Sequence, residues 1–290
     1  MRVLITGSTG FTGQHFLQMQ DYLGITVVPL KSNLLRFEDL VSEMSNLCFD
    51  TVIHLAAISS IQHFSAEELY AVNVVGTDNL LRALCEIPNK PAKVLVSSSA
   101  QVYGATGLEA IHEDIQPNPS NHYAISKTAC EFLIRQYNEE FPIVISRPFN
   151  YTGLGQRDDF VIPKIIKHFK ELSPSISLGN TDSKREFNDV RMICESYVNL
   201  LNYAPSASIF NICTSKTYSI NDVIDILKTI TGHKIEIIKS PEFLRLNDIS
   251  RLCGSNLAYQ ALDKSTESDF FKKEYRLEET LRWMLKGNLI

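Results

Sequence analysis

Tyr123 is followed four residues on by Lys127 inside a stretch of helical spacing, so both side chains leave one face of the same helix. An ammonium beside a phenol favours the phenolate and lowers its pKa from about 10, which suits proton exchange with an alcohol near neutral pH. By itself such a pair can equally be a solvated helix face. Upstream, the run Ser97-Ser98-Ser99-Ala100-Gln101-Val102-Tyr103-Gly104 places hydroxyls directly after an apolar segment. Parallel sheets bind ligands there, beyond the carboxyl ends of their strands. At the start, MRVLITGSTGFTGQ breaks an apolar run with Gly7, Gly10 and Gly13 before helical spacing sets in. Such glycines let backbone N–H groups approach a pyrophosphate at the positive end of a helix dipole, so the turn is expected to hold a dinucleotide. The G-x-x-G-x-x-G spacing alone also fits a turn with no ligand.

These residues need a frame. Val3, Leu4 and Ile5 suit a strand buried on both faces, Phe11 to Leu23 has helical spacing, and Ile25 to Leu30 is β-branched. A helix carrying Leu40, Val41 and Met44 leads to a strand over Asp50 to Ala57, followed by a long amphipathic helix over Ala66 to Cys85. A strand over Ala92 to Ser98, a helix over Tyr123 to Tyr137 and a strand over Pro142 to Arg147 complete an alternation that predicts an α/β, Rossmann-type doubly wound parallel sheet. Past Asn150 the texture changes, with helices over Val161 to Lys170, Met192 to Tyr203, Ser219 to Thr231 and Leu277 to Leu285. Ile209 to Cys213 again reads as a buried strand. The expected division is a dinucleotide-binding domain over 1–150 plus about 190–213, and a smaller, discontinuous α/β substrate domain over 151–189 and 214–290.

Composition narrows the function classes. With 290 residues, 44% of them hydrophobic, the chain can build a large core, and its net charge of −5 without a basic block disfavours nucleic acid and anionic membrane partners. Its six cysteines are scattered with no C-x-x-C pair, so reduced thiols are expected, with no disulfide and no metal site. No apolar run reaches the roughly 18 to 20 residues of a membrane span, and the expected location is cytoplasmic.

The order of the motifs says more than any of them alone: the glycine turn, His54-Leu55-Ala56-Ala57, the Ser97 to Gly104 run, Tyr123 with Lys127, then Arg147-Pro148-Phe149-Asn150. In this set the whole chain resembles the extended short-chain dehydrogenase/reductase family. The resemblance implies catalysis by Ser99, Tyr123 and Lys127 on a nicotinamide dinucleotide, with a nucleotide sugar held by the C-terminal domain. It puts the cofactor against Gly7, Thr9, Gly10, Phe11, Thr12 and Gly13, against Lys31, Ser32, Asn33 and Leu34, and against Leu55, Ala56, Ala57, Asn73, Ser97 and Pro148, as well as Tyr123 and Lys127. Substrate contacts carried over are Ser59, Ser99, Ala100, Gln101, Tyr123, Asn150, Phe160, Val161, Lys164, Arg185 and Arg245.

Departures from the family pattern select among its reactions. Ala100 and Gln101 stand where the 4,6-dehydratases carry an acid and a base, and neither can shuttle a proton. Gln101 and Phe160 replace the cysteine and histidine used for 3,5-epimerisation. Reduction of a 4-keto-6-deoxyhexose attached to GDP or dTDP then fits best, on resemblance through RPFNYTGLGQRDDFVIP, LGNTDSKREFNDVR and Leu244-Arg245. A nucleotide-sugar 4-epimerase with tightly held NAD is the alternative, and a non-catalytic NADP-binding sensor a remote one. No acidic residue follows the second strand; Lys31 and Ser32 stand there, which favours NADP(H) over NAD(H). Asn33 replaces the family's adenine-pocket aspartate, Met192 replaces another aspartate, and one strand-helix unit is trimmed. The resemblance also implies a homodimer through the two long helices, with Leu80, Leu81, Leu84, Phe132 and Leu133 as apolar positions.

Overall fold

The computed structural model describes residues 1–59, 64–240, 249–265 and 275–287. Six parallel strands form one sheet in the spatial order Ser208–Ile212, Ile143–Pro148, Lys93–Ser97, Thr51–His54, Arg2–Thr6 and Thr26–Pro29. Chain order reverses between Arg2–Thr6 and Thr51–His54, which makes the crevice above these two strands the ligand crevice of an open α/β sheet. Alternation along each strand explains the double burial. Val3, Ile5, Ile53, Leu95 and Val144 pack into one core with the helices Phe11–Met19 and Val190–Tyr203. Leu4, Val52, Val94, Val96 and Ile145 pack into a second core on the other face, against Phe37–Asn46, Gly76–Glu86 and His122–Ile134.

After Ile143–Pro148 the chain leaves the sheet, and it returns through Val190–Tyr203 to add Ser208–Ile212 at the edge. A separate core of Ile162, Ile165, Phe169, Ile224, Leu227 and Leu281 gathers the helices Val161–Lys170, Ile220–Thr231 and Leu277–Lys286 around the strand pair Ser175–Leu178 and Glu236–Lys239. Glu186 ties this part together. Its buried carboxylate accepts from Gly254 N at 2.7 Å, Thr214 N at 2.8 Å and Ser215 N at 3.1 Å, and burial pushes it up to about 7.

Three sequence expectations need correction. The strand over Asp50 to Ala57 ends at His54, because the N–H groups of Leu55 and Ala56 bond to Thr6 Oγ1 at 3.1 Å each instead of to a neighbouring strand. The first helix stops at Met19, four residues short. Leu80, Leu81 and Leu84 are fully buried against the sheet and offer nothing to a partner, whereas Val75, Ile125 and Phe132 are the exposed apolar side chains of the two long helical segments. The first of those segments is Ala66–Tyr70, a π turn over Ala71–Val75, and Gly76–Glu86. Among the described residues no helix is long and apolar enough to cross a membrane.

Candidate active site

The glycine turn closes the end of Arg2–Thr6. Gly7 has φ +71°, and a Cβ there would lie 2.8 Å from the Ala56 nitrogen; a Cβ on Gly13 would lie 2.3 Å from the Gly7 oxygen. Only glycine lets the turn sit this close to both the next strand end and its own helix. Gly10, the N-cap of Phe11–Met19, supplies no side-chain cap, and the first turn of the helix holds no acidic residue. Its leading N–H groups and dipole are therefore suited to a diphosphate. Thr9 and Gly10 are exposed, and Thr12 bonds Tyr151 through their hydroxyls at 2.9 Å, with Phe11 stacked on the Tyr151 ring.

Two strands along, Ser99 caps the short 3-10 turn Ala100–Tyr103, its Oγ accepting from Gln101 N at 3.2 Å. Tyr123 opens the helix His122–Ile134, which Asn121 caps by accepting from Ala124 N at 2.9 Å. The Tyr123 phenol lies near Ser99. Burial raises its pKa above the ordinary value, against the pull of Ser99. The sequence leads to an expectation of a lowered phenol, but in this structure burial dominates, while the buried Lys127 donates to the Ser97 carbonyl at 2.7 Å. Burial also lowers Lys127 itself. Ser97 and Tyr197 share a hydrogen bond of 2.8 Å between their hydroxyls.

Buried polar contacts fix this geometry. Glu131, one turn past Lys127, takes Arg147 in a bidentate pair at 3.0 and 2.6 Å and accepts from Ser98 Oγ at 2.5 Å, so the helix His122–Ile134 is bolted to two strands. His54 lies between Thr6 and Thr77 at 2.7 and 2.8 Å; burial first, then Lys127, pushes it down to about 3, so it stays neutral. Asn73, expected against the cofactor, spends its amide on Ile58 N and O at 2.7 and 3.0 Å and on Ser126 Oγ at 2.9 Å. It shapes the loop after Ala57 rather than reaching a ligand. Neither Glu131 nor Thr6 was singled out from sequence, although Tyr123, Lys127 and Glu131 share a spacing of four, and His54 entered only as a member of its motif.

On the far side of the crevice Leu34 is buried against Gly76, with its carbonyl held by Asn79 at 2.9 Å. Asn33 accepts from Leu35 N at 2.9 Å, which spends one oxygen position on a local turn. The sequence shows no acid after the second strand, yet space does. Glu43, from Phe37–Asn46, accepts from Lys31 N at 3.0 Å and Ser32 N at 2.7 Å.

Of the expected substrate contacts, Ser59, Asn150, Phe160 and Val161 are exposed, Ala100 is buried, and Gln101 accepts from Asn121 Nδ2 at 3.2 Å; Pro148, expected against the cofactor, is buried. Lys164 instead donates to the Ser177 carbonyl at 2.8 Å and braces its helix against the strand Ser175–Leu178. Arg185 is half-buried and donates to the Lys184 carbonyl, while the two acids near it are engaged elsewhere: Asp189 by Arg191 at 2.7 and 2.9 Å, Glu186 by backbone amides. Met192 is packed in the core. Arg245 lies outside the described residues.

Residues 3–213 match the NAD dependent epimerase/dehydratase family. The chain belongs to that family. Within it, the chain is 32% identical over 260 residues to the GDP-6-deoxy-D-talose 4-dehydrogenase of Aggregatibacter actinomycetemcomitans, covering 88% of each protein. It is 30% identical to the GDP-6-deoxy-D-mannose reductase of Pseudomonas aeruginosa, covering 98% of this chain and 96% of that one. The structure of Pseudomonas aeruginosa RMD complexed with NADPH superposes with a TM-score of 0.87 at 29% identity, over 99% of this chain and 98% of that one. This epimerase/dehydratase chain is thus an extended short-chain dehydrogenase/reductase, as its motif order implies.

Proposed function

We propose that the chain is a nucleotide-sugar oxidoreductase that reduces the C4 keto group of a GDP- or dTDP-linked 4-keto-6-deoxyhexose. The observation that carries this reading is the grouping of Ser99, Tyr123 and the buried Lys127, which donates to the Ser97 carbonyl, two strands along the sheet from the uncapped, glycine-lined helix start. A nicotinamide dinucleotide fits that arrangement, since Gly7 and Gly13 admit no side chain and the helix start has no internal anion. When bound, it supplies hydride from nicotinamide C4 to sugar C4. Ser99 orients the carbonyl oxygen, and the Tyr123 hydroxyl donates its proton to O4 as negative charge develops there. A phenol kept protonated by burial is in the form that reduction requires. Lys127, which donates to the Ser97 carbonyl at the strand end, holds the nicotinamide ribose in this reading.

Relatives acting on GDP-6-deoxyhexoses at the 30–32% level support the substrate class. The dinucleotide unit comprises 1–150 with about 190–213, and the rest receives the sugar nucleotide through Asn150, Phe160 and Arg185. Exposed Val75, Ile125 and Phe132 provide the apolar surface for a homodimer. The test supplies GDP- and dTDP-4-keto-6-deoxyhexoses with NADH or NADPH and follows nicotinamide absorbance and product. One reduced cofactor consumed per sugar reduced is expected. Interconversion of UDP-hexose epimers without net cofactor consumption would favour the 4-epimerase reading instead.

A further inference from the structure

The sheet order dictates where each end of a dinucleotide must lie. The glycine turn follows Arg2–Thr6, and the Ser99, Tyr123 and Lys127 group lies beyond Lys93–Ser97, two strands to one side. With the diphosphate at the turn and the nicotinamide at that group, the adenosine runs to the other side, over the end of the edge strand Thr26–Pro29. Lys31 and Ser32 begin just beyond it, about 20 residues after the glycines, where a carboxylate in this fold meets a ribose 2′-hydroxyl. Here the carboxylate arrives from the following helix. Glu43 Oε1 is 3.0 Å from Lys31 N, and Oε2 is 3.3 Å from Lys31 N and 2.7 Å from Ser32 N.

We propose that Glu43 selects the dinucleotide, admitting the ribose 2′-hydroxyl of NAD(H) and turning away the 2′-phosphate of NADP(H). This deepens the dinucleotide reading above and rests on it. The two amides a 2′-phosphate would use are already spent on Glu43, and a phosphate dianion beside that carboxylate meets like charge. A 2′-hydroxyl instead finds an acceptor with lone pairs left over. Partial burial works against ionisation of Glu43, but the Ser32 hydroxyl, the two amides and the Lys31 charge outweigh it, so the group sits below its usual value and is charged at neutral pH. Lys31 and Arg36 are exposed. This reverses the preference that Lys31 and Ser32 suggest in sequence.

Glu43→Gln keeps an oxygen for the two amides and removes only the charge, which separates selection from loop capping. Calorimetric titration of the full chain with NADH, NADPH, 5′-ADP and 2′,5′-ADP reads binding without turnover. Wild-type protein is expected to hold NADH and 5′-ADP at least about tenfold tighter than their 2′-phosphorylated counterparts, and Glu43→Gln to shrink that ratio by about tenfold. Equal or tighter binding of the 2′-phosphorylated ligands by wild type overturns the proposal without any variant. So does a ratio unmoved in Glu43→Gln. Failure of all four ligands to bind removes the dinucleotide reading as well, and is thereby distinguishable.

Discussion

The two ends of the crevice are built differently. At the reaction end, Lys127, Glu131 and Arg147 are buried, and their contacts span two strands and one helix. At the adenosine end, Lys31 and Asn33 are exposed, Ser32 and Glu43 are half-buried, and the contacts join an edge strand to the helix that follows it. The proposed proton donor thus lies over the interior of the sheet, where buried ion pairs and hydrogen bonds leave side chains one arrangement. Recognition of a ribose needs only charge and shape, and an edge supplies both.

The largest expected effect breaks the reaction end alone. Tyr123→Phe keeps the ring and removes the proton donor, so turnover should fall by at least about a hundredfold, while calorimetric affinity for the dinucleotide stays unchanged. Unchanged turnover would refute the assigned donor. Next is the bolt behind it. Glu131→Gln leaves Arg147 buried without its charge partner and is expected to cost about 3–5 kcal/mol in chemical denaturation; Glu43→Gln, in its half-exposed setting, should cost about 1 kcal/mol or less. Equal costs would erase the contrast between the two ends.

A third effect lies outside both ends. Burial raises Glu186 from 4.5 to about 7, so the folded chain binds this proton more tightly than the unfolded chain does. The stability it contributes is complete below 4.5 and is lost as pH rises toward about 7. Across that window the melting temperature of wild type should fall more steeply with pH than that of Glu186→Gln, which has no carboxyl to ionise there, with dinucleotide affinity unaltered at either end; equal slopes would refute the assignment.

Sequence legibility follows the same division. Val3, Leu4 and Ile5 announced a doubly buried strand because apolar side chains were needed on both faces, and the structure sends Leu4 to one core and its neighbours to the other. Ser99, Tyr123 and Lys127 were legible because their spacing is local to one strand end and one helix. Their supports were not: Glu131 meets Arg147 across 16 residues and Ser98 across 33. The strand over Asp50 to Ala57 was read too long because a threonine 50 residues away claims the Ala56 amide. Glu43 escaped for the same reason, since it acts on residues 11 and 12 positions back through their backbone, which carries no sequence signature. Asn73, which the resemblance puts against the cofactor, bonds Ile58 and Ser126, partners 15 and 53 residues away that no local pattern announces.

The central claim is hydride delivery to sugar C4 with Tyr123 protonating O4, and isotope tracing tests it most directly. With nicotinamide deuterated at C4 and a GDP- or dTDP-4-keto-6-deoxyhexose, the account predicts one deuterium at C4 of the reduced sugar, formed by wild type and lost with Tyr123→Phe. Product without deuterium at C4, or label returned to the nicotinamide as the sugar epimerises, would contradict it.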